Sequence, residues 1–310
     1  MTLNILFAAR PERWVTYETP LRCALKKAGI VANLATSIAP DQVDYIIYAP
    51  NSDLQDFTPY TRAKAVLNLW AGVETITGNE TLKLPLARMV DDGLTKGMVE
   101  WVMGHVMRYH LGMDIDILRN DAQWIYRTPP LAKERSVTVF GLGALGLAAA
   151  KTLKSLGFDV AGWSRSPKDI PEITTFSGET GLKQALSRAE IAILLLPDTA
   201  ATENTLNAQT LALMPKGAFI INPGRGPLID DNALIAALDS GQVAHATLDV
   251  FRIEPLPQDH PFWAHPSVTV TPHIAAETRP STASEAIAEN IRRGEVGEPF
   301  LHLVDRALGY

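Results

Sequence analysis

Val137-Thr138-Val139-Phe140-Gly141-Leu142-Gly143-Ala144-Leu145-Gly146 is the stretch that decides the fold. Four residues that favour an extended backbone run straight into Gly-x-Gly-x-x-Gly, and helical sequence follows to about Leu156. That order of strand, glycine turn and helix is the context in which the motif binds a dinucleotide. Gly141 permits the tight turn, Gly143 lets backbone approach a pyrophosphate, and Gly146 allows the helix to pack closely on the strand. Ala144 and Leu145 open the helix, whose N-terminus offers free N–H groups and a partial positive charge to phosphates. A glycine-rich turn alone also occurs where nothing binds; the flanking strand and helix carry the reading.

The end of the next strand selects the cofactor. Val160–Trp163 runs into Ser164-Arg165-Ser166-Pro167-Lys168. A dinucleotide fold that prefers NAD carries an acid about twenty residues beyond the turn, on the ribose 2′-hydroxyl. Here Asp159 stands at the beginning of the strand, where its carboxylate points to the wrong end of the sheet. Arg165 offers a forked, charge-assisted contact to a 2′-phosphate, Ser164 and Ser166 add hydroxyl donors, and Lys168 adds a further charge. The expectation is NADP(H) in preference to NAD(H). A solvated surface loop is the competing reading.

The 310 residues give room for roughly two domains. Apolar residues make up 46% and charged residues 20%, enough for a proper core. A formal net charge of −6 offers no basic surplus for phosphate backbones, so no nucleic-acid partner is expected. Cys23 is the only cysteine, which fits a reducing compartment. The N-terminal apolar run reads as a first strand and not a signal peptide, and no stretch approaches the roughly 20 apolar residues of a membrane span. A cytoplasmic protein without a membrane partner is expected.

Strand-like runs at Leu3–Ala8, Val31–Leu34, Tyr45–Tyr48 and Val66–Leu69, with a helix near Leu21–Ala28 stopped by Gly29, predict an α/β layer with parallel strands. A long helix is expected over Thr95–His110, and Asp121–Arg135 reads as a connection. A second alternation begins at Val137, with strands at Val160–Trp163, Ile191–Leu195, Ala218–Ile221, Ala246–Asp249 and Val268–Val270. One more helix, Thr282–Arg293, suggests a tail that returns to the first unit.

Chemistry concentrates in the second half: Arg225 in NPGRG, Glu254 in DVFRIEP and His273 in TPHIA. Downstream of a dinucleotide cradle, a guanidinium, a carboxylate and an imidazole are the parts needed to reduce a 2-oxo acid. Singly, each has an ordinary reading: Arg225 as a loop cap, Glu254 as a solvated carboxylate, His273 as a core histidine. Jointly they fit one reaction. No His/Cys/carboxylate cluster has metal-ligand spacing, so no metal is expected.

These stretches, with LWAGVE, GWSRSPK, LLLPDT, ALDSGQV, PFWAHPSVTVTPHIA and the terminal VDRALGY, resemble the D-isomer-specific 2-hydroxyacid dehydrogenases over nearly the whole chain. Within that family the likeness is greatest to the A-type glyoxylate/hydroxypyruvate reductases. The resemblance implies two Rossmann-like or flavodoxin-like α/β domains with doubly wound parallel sheets and the active site in the cleft between them. A discontinuous substrate domain would comprise residues 1–93 and 278–310, and a dinucleotide-binding domain residues 94–277. It implies NADPH-dependent reduction of glyoxylate or hydroxypyruvate to glycolate or D-glycerate, with Arg225 on the substrate carboxylate, His273 as general acid and Glu254 behind it. Asp249 would bond the nicotinamide carboxamide, and Leu196, Pro197 and Thr202 would line the cofactor trough. The Ala71-Gly72-Val73 loop would meet the substrate carboxylate through its N–H groups. Trp70 and Tyr48 depart from the family pattern and would shape the pocket. A homodimer is implied, with Met98, Trp101 and Tyr109 at the subunit contact or in an ordinary core. Alternatives are the same chemistry on a larger 2-oxo acid, or an idle NADP(H)-sensing protein.

Overall fold

The central apolar runs become strands buried on both faces, which is why those runs are nearly continuous and not alternating with polar residues. The computed structural model describes residues 2–309; Met1 and Tyr310, the ends of the expected substrate domain, lie outside the described residues. The chain forms two units, one ending at Leu94 and resuming at Thr278, the other spanning Thr95–Glu277.

In the first unit the order is β1 (Leu3–Ala8), α1 (Pro11–Lys27), β2 (Ala32–Ala35), β3 (Tyr45–Tyr48), β4 (Ala65–Asn68), α2 (Glu74–Thr77) and β5 (Leu86–Ala87). The five strands are all parallel in the order β2-β1-β3-β4-β5, a flavodoxin-like order. Side chains alternate across the sheet. Ile5, Phe7, Tyr45 and Ile47 pack on one face with Tyr17 and Leu21 of α1. Leu6, Ile46, Tyr48 and Val66 pack on the other with Phe57 and Ile76. The first helix begins ten residues before the expected Leu21, at Pro11, where the missing N–H costs no helical bond. Pro20 lies inside it, and that proline concealed the Trp14, Tyr17, Leu21, Ala24 stripe.

The second unit contains α3 (Asp92–Leu111, entering from the first unit), α4 (Asp114–Ile117), β6 (Ser136–Phe140), α5 (Ala144–Ser155), β7 (Asp159–Ser164), β8 (Thr174–Ser177) and α6 (Gly178–Ser187). It continues with β9 (Ile191–Leu194), α7 (Ala208–Leu211), β10 (Ala218–Asn222), α8 (Asp231–Asp239), β11 (Val243–Leu248) and β12 (Val268–Val270). Its seven parallel strands run β12-β11-β10-β9-β6-β7-β8. The order reverses between β6 and β9, so the glycine turn lies at the topological switch point, at the carboxyl end of β6. Edge strand β8, Thr174-Thr175-Phe176-Ser177, is too polar to have stood out in the sequence.

Met98 and Tyr109 of α3 are buried in this unit's own core, so neither needs a subunit contact to cover it. The Tyr109 ring stacks on Phe219 at 4.5 Å, and its hydroxyl meets Thr247. The tail helix α9 (Pro280–Glu295) packs Ile287 and Ile291 into the first unit, in the cluster that contains α1. No described helix is long and apolar enough to cross a membrane.

Candidate active site

The three turn glycines are there for different reasons. A Cβ on Gly141 would lie 2.3 Å from the Leu195 carbonyl oxygen, and one on Gly146 would lie 1.8 Å from that of Gly141. Both are required by the protein's own packing. A Cβ on Gly143 would meet nothing within 4 Å, so the protein's own packing leaves room there for an incoming group. Ala144 and Leu145 begin α5, whose first N–H groups have no helical acceptor. A glycine open to solvent beside such a terminus fits a dinucleotide pyrophosphate.

Beyond β7, Ser164 is buried and donates to the Ser166 carbonyl at 2.8 Å, which shapes the loop that exposes Arg165. Lys168 reaches back to donate to the Leu142 carbonyl at 2.5 Å, placing its charge at the glycine turn. Asp159, at the opposite end of β7, is ion-paired with Arg188. In the trough segment Leu196 is buried and Pro197 half-buried. The Thr202 hydroxyl donates to the Pro197 carbonyl at 2.7 Å and accepts from the Thr199 N–H at 3.0 Å, so it closes the turn that carries Pro197.

Arg225, Glu254 and His273 leave the carboxyl ends of β10, β11 and β12, the same edge of the sheet as the glycine turn. Asn222 folds the first loop, donating to the Arg225 carbonyl at 2.9 Å and accepting from the Gly224 N–H at 3.1 Å. Gly226 lets that loop press on the next one, since a Cβ there would sit 2.0 Å from the Phe251 carbonyl carbon. Arg252 ties the two loops together by donating to the Ile229 carbonyl at 2.7 Å. Glu254 accepts from the Phe251 N–H at 2.9 Å and pairs with His273 Nδ1 at 2.8 Å. The Nε2 atom is left for a reacting group, on a side chain 51% exposed.

The hydrogen bond to Glu254 raises the His273 pKa above the ordinary imidazole value; burial and the Arg225 charge oppose the shift, and the charges of Glu254 and Asp249 assist it. Burial works against ionisation of Glu254. The bonds from His273 and the Phe251 N–H, with the nearby His273 and Arg225 charges, outweigh that and hold its pKa low. The pair therefore favours the proton on the imidazole over the carboxylate.

His273 has φ +54°, a left-handed backbone unusual for a residue with a Cβ. Asp249 imposes it. This carboxylate is 1% exposed and accepts from Thr271 Oγ1 at 2.5 Å, the Ile274 N–H at 2.9 Å and the Ala275 N–H at 2.8 Å. Its observed work is to hold the histidine loop, a role that a strand-end aspartate did not announce in the sequence.

The model of the family described as D-isomer specific 2-hydroxyacid dehydrogenase, NAD binding domain, matches residues 106–275. A glyoxylate/hydroxypyruvate reductase A from Serratia proteamaculans is 41% identical over 257 residues, covering 80% of this chain and 82% of that protein. The chain belongs to the D-isomer specific 2-hydroxyacid dehydrogenases. A family structure from Xanthobacter autotrophicus Py2, in complex with NADPH and MES, is 37% identical with a TM-score of 0.92 over 100% of both chains. An NADPH-dependent glyoxylate/hydroxypyruvate reductase from Sinorhizobium meliloti, in complex with NADP and sulfate, is 31% identical with a TM-score of 0.82 over 100% of this chain and 99% of that one.

Among the D-isomer specific 2-hydroxyacid dehydrogenase residues expected in the first unit, Tyr48 is 1% exposed, with its ring edge-on to Phe57 at 5.3 Å inside the core. It is unavailable to a substrate; Tyr-Ile-Ile-Tyr reads alike on both faces, so the sequence did not tell which tyrosine faced inward on which side. Trp70 is partly exposed, Ala71 and Gly72 are half-buried, and the Val73 side chain packs in the core. Burial, with Arg108 nearby, pushes the pKa of His105 down to about 4, so it is neutral and does not compete as an acid.

Proposed function

We propose that this enzyme reduces a small 2-oxo acid, glyoxylate or hydroxypyruvate, to the 2-hydroxy acid with NADPH. The observation that carries it is the His273–Glu254 pair at 2.8 Å, on a half-exposed imidazole, beside Arg225 at the strand ends that also bear the glycine turn. The relatives of Serratia proteamaculans and Sinorhizobium meliloti, described as glyoxylate/hydroxypyruvate reductases, support the substrate class. The NADP and NADPH complexes support the cofactor. Gly143, Ala144 and Leu145 would receive its pyrophosphate, and Ser164, Arg165, Ser166 and Lys168 its 2′-phosphate. When bound, the nicotinamide supplies the hydride. Arg225 binds the substrate carboxylate and polarises the 2-oxo group through its fixed fork of donors. His273 Nε2 gives its proton to the 2-oxo oxygen, and Glu254 stabilises the imidazolium until that transfer.

Initial rates of NADPH and NADH oxidation, with glyoxylate, hydroxypyruvate and larger 2-oxo acids, test the reading. NADPH is expected to be preferred, and the small acids are expected to be faster. Arg165→Ala should raise KM for NADPH about tenfold to a hundredfold, the worth of a charge-assisted contact, and leave KM for NADH unchanged. Equal effects on both cofactors would remove Arg165 as the phosphate reader. Faster turnover of a bulky acid would move the substrate to the larger class. Cofactor binding without turnover of any acid would favour a sensor.

We further infer a homodimer. From α4 onward the chain exposes Ile117, Leu118, Trp124 (98%), Tyr126 (85%) and Leu131, large apolar side chains that burial against a second copy would remove from water. Sedimentation equilibrium should give twice the chain mass of 33.8 kDa, falling to the single mass for Trp124→Glu/Tyr126→Glu. A monomeric wild type, or a dimer indifferent to both changes, would contradict it.

A further inference from the structure

Arg252 lies two residues before Glu254, in an exposed stretch of the loop that leaves β11. An arginine in such a place ordinarily keeps its guanidinium in water. This one is turned onto the neighbouring loops. Its Nη2 donates to the Ile229 carbonyl at 2.7 Å and to the Asn204 side-chain oxygen, with the Pro227 carbonyl alongside at 3.3 Å. The carboxylates of Glu203 and Asp231 face its other nitrogens at 3.4 and 4.0 Å. A planar fork with acceptors around it has one orientation, which the point charge of a lysine would not fix.

Most of the Arg225 loop has other holders. The Asn204 N–H donates to the Pro227 carbonyl at 2.9 Å, and the Leu206 N–H to the Leu228 carbonyl at 3.0 Å. Among the described residues, no backbone N–H reaches the Ile229 carbonyl. Those backbone bonds run to the Asn204–Leu206 segment and not to the Glu254 loop. Past Asp249, whose N–H donates to the Asn222 carbonyl at 3.0 Å, no backbone bond joins the Arg225 and Glu254 loops among the described residues. The two loops touch at Gly226, where a Cβ would lie 2.4 Å from the Arg252 nitrogen, and the Arg252 side chain bonds across. Arg225 thus sits on a loop shaped by Asn222 on one side and tied by Arg252 on the other. Its charge is felt at both Glu254 and His273, so a small shift of the loop moves the guanidinium relative to the acid.

We infer that Arg252 is the positioning residue that fixes Arg225 in register with the Glu254–His273 pair. The inference rests on the proposed 2-oxo acid reduction. In that reaction Arg225 grips the carboxylate while the adjacent 2-oxo oxygen takes the proton of His273. Both groups belong to one small molecule, so grip and acid must keep a fixed spacing. Arg252 touches neither substrate nor cofactor. Without it the carboxylate is still gripped, but the oxygen is out of line with the acid, and the loss falls on kcat and not on KM.

Arg252→Met keeps the stem and removes the guanidinium. Expected is a kcat for glyoxylate lowered about tenfold to a hundredfold, with KM for glyoxylate and for NADPH within about threefold of wild type. The alkaline limb of kcat/KM should stay where it is, because Glu254 and His273 keep their bond. Hydrogen exchange over residues 224–230, read by mass spectrometry with no substrate present, should quicken about tenfold. Arg252→Lys, which can satisfy one carbonyl at a time, should fall between the two on both readouts and decides the matter if the methionine variant does not fold. Glu203→Gln, which removes only the exposed ion pair, should match wild type. Unchanged kcat, a loss confined to KM, a displaced pH limb or an equal loss in Glu203→Gln would each overturn the inference. So would exchange that stays slow while kcat falls. A wild type that reduces no 2-oxo acid, beside faster exchange in Arg252→Met, would sink the proposed reaction while upholding the tie between the loops. Unchanged exchange would then sink both.

Discussion

Replacing His273 with Asn should lower kcat for glyoxylate reduction by about 10²–10⁴-fold, the usual worth of a positioned general acid, while NADPH binding is unchanged. Asparagine tolerates the left-handed backbone at φ +54°, so the loop held by Asp249 stays in place and the loss reports chemistry. Stopped-flow single-turnover rates beside a cofactor fluorescence titration separate the two effects. The same residue sets the pH dependence. Reduction needs the imidazolium, and the bond to Glu254 raises the pKa of His273. The rate kcat/KM therefore holds below that raised pKa and falls as pH rises through it, on the alkaline side of the ordinary imidazole value. In Glu254→Gln the carboxylate that raises it is gone, and the falling limb moves to lower pH. A limb that stays put would show that Glu254 does not tune the acid.

Arg225→Ala should cost about 10³-fold in kcat/KM, the larger part of it in KM, because the substrate carboxylate then has no fixed cationic fork. Arg225→Lys keeps a charge without the planar pair of donors, and about 10²-fold should remain lost. The Asn222 bonds that shape this loop go to backbone atoms, so neither variant should disturb them. Steady-state kinetics with glyoxylate, beside KM for NADPH as the control, reads the result. An alanine variant with an unaltered KM for glyoxylate would remove Arg225 from carboxylate binding.

Much of this was legible in the sequence because it is local. Val137–Gly146 declares strand, turn and helix within ten residues, and the missing acid after Trp163 is visible without any fold. The parts that were not legible depend on contacts between distant positions. Asp249 reads as a residue at a strand end; that its carboxylate reaches Thr271, Ile274 and Ala275 follows only from β11 and β12 lying side by side. Tyr48 was placed in the pocket by the family pattern alone, and a strand buried on both faces has no polar side that could have tested its direction. Pro20 hid the first half of α1, because a proline inside a helix reads as its boundary.

The most direct measurement is NADPH oxidation with glyoxylate by the wild type and by His273→Asn, side by side at neutral pH, with cofactor binding measured on both. Turnover by the wild type, and its loss in a variant that still binds NADPH, is the predicted result. A wild type that binds NADPH but leaves every 2-oxo acid unreduced would contradict the proposed reaction, and an active variant would contradict His273 as its acid.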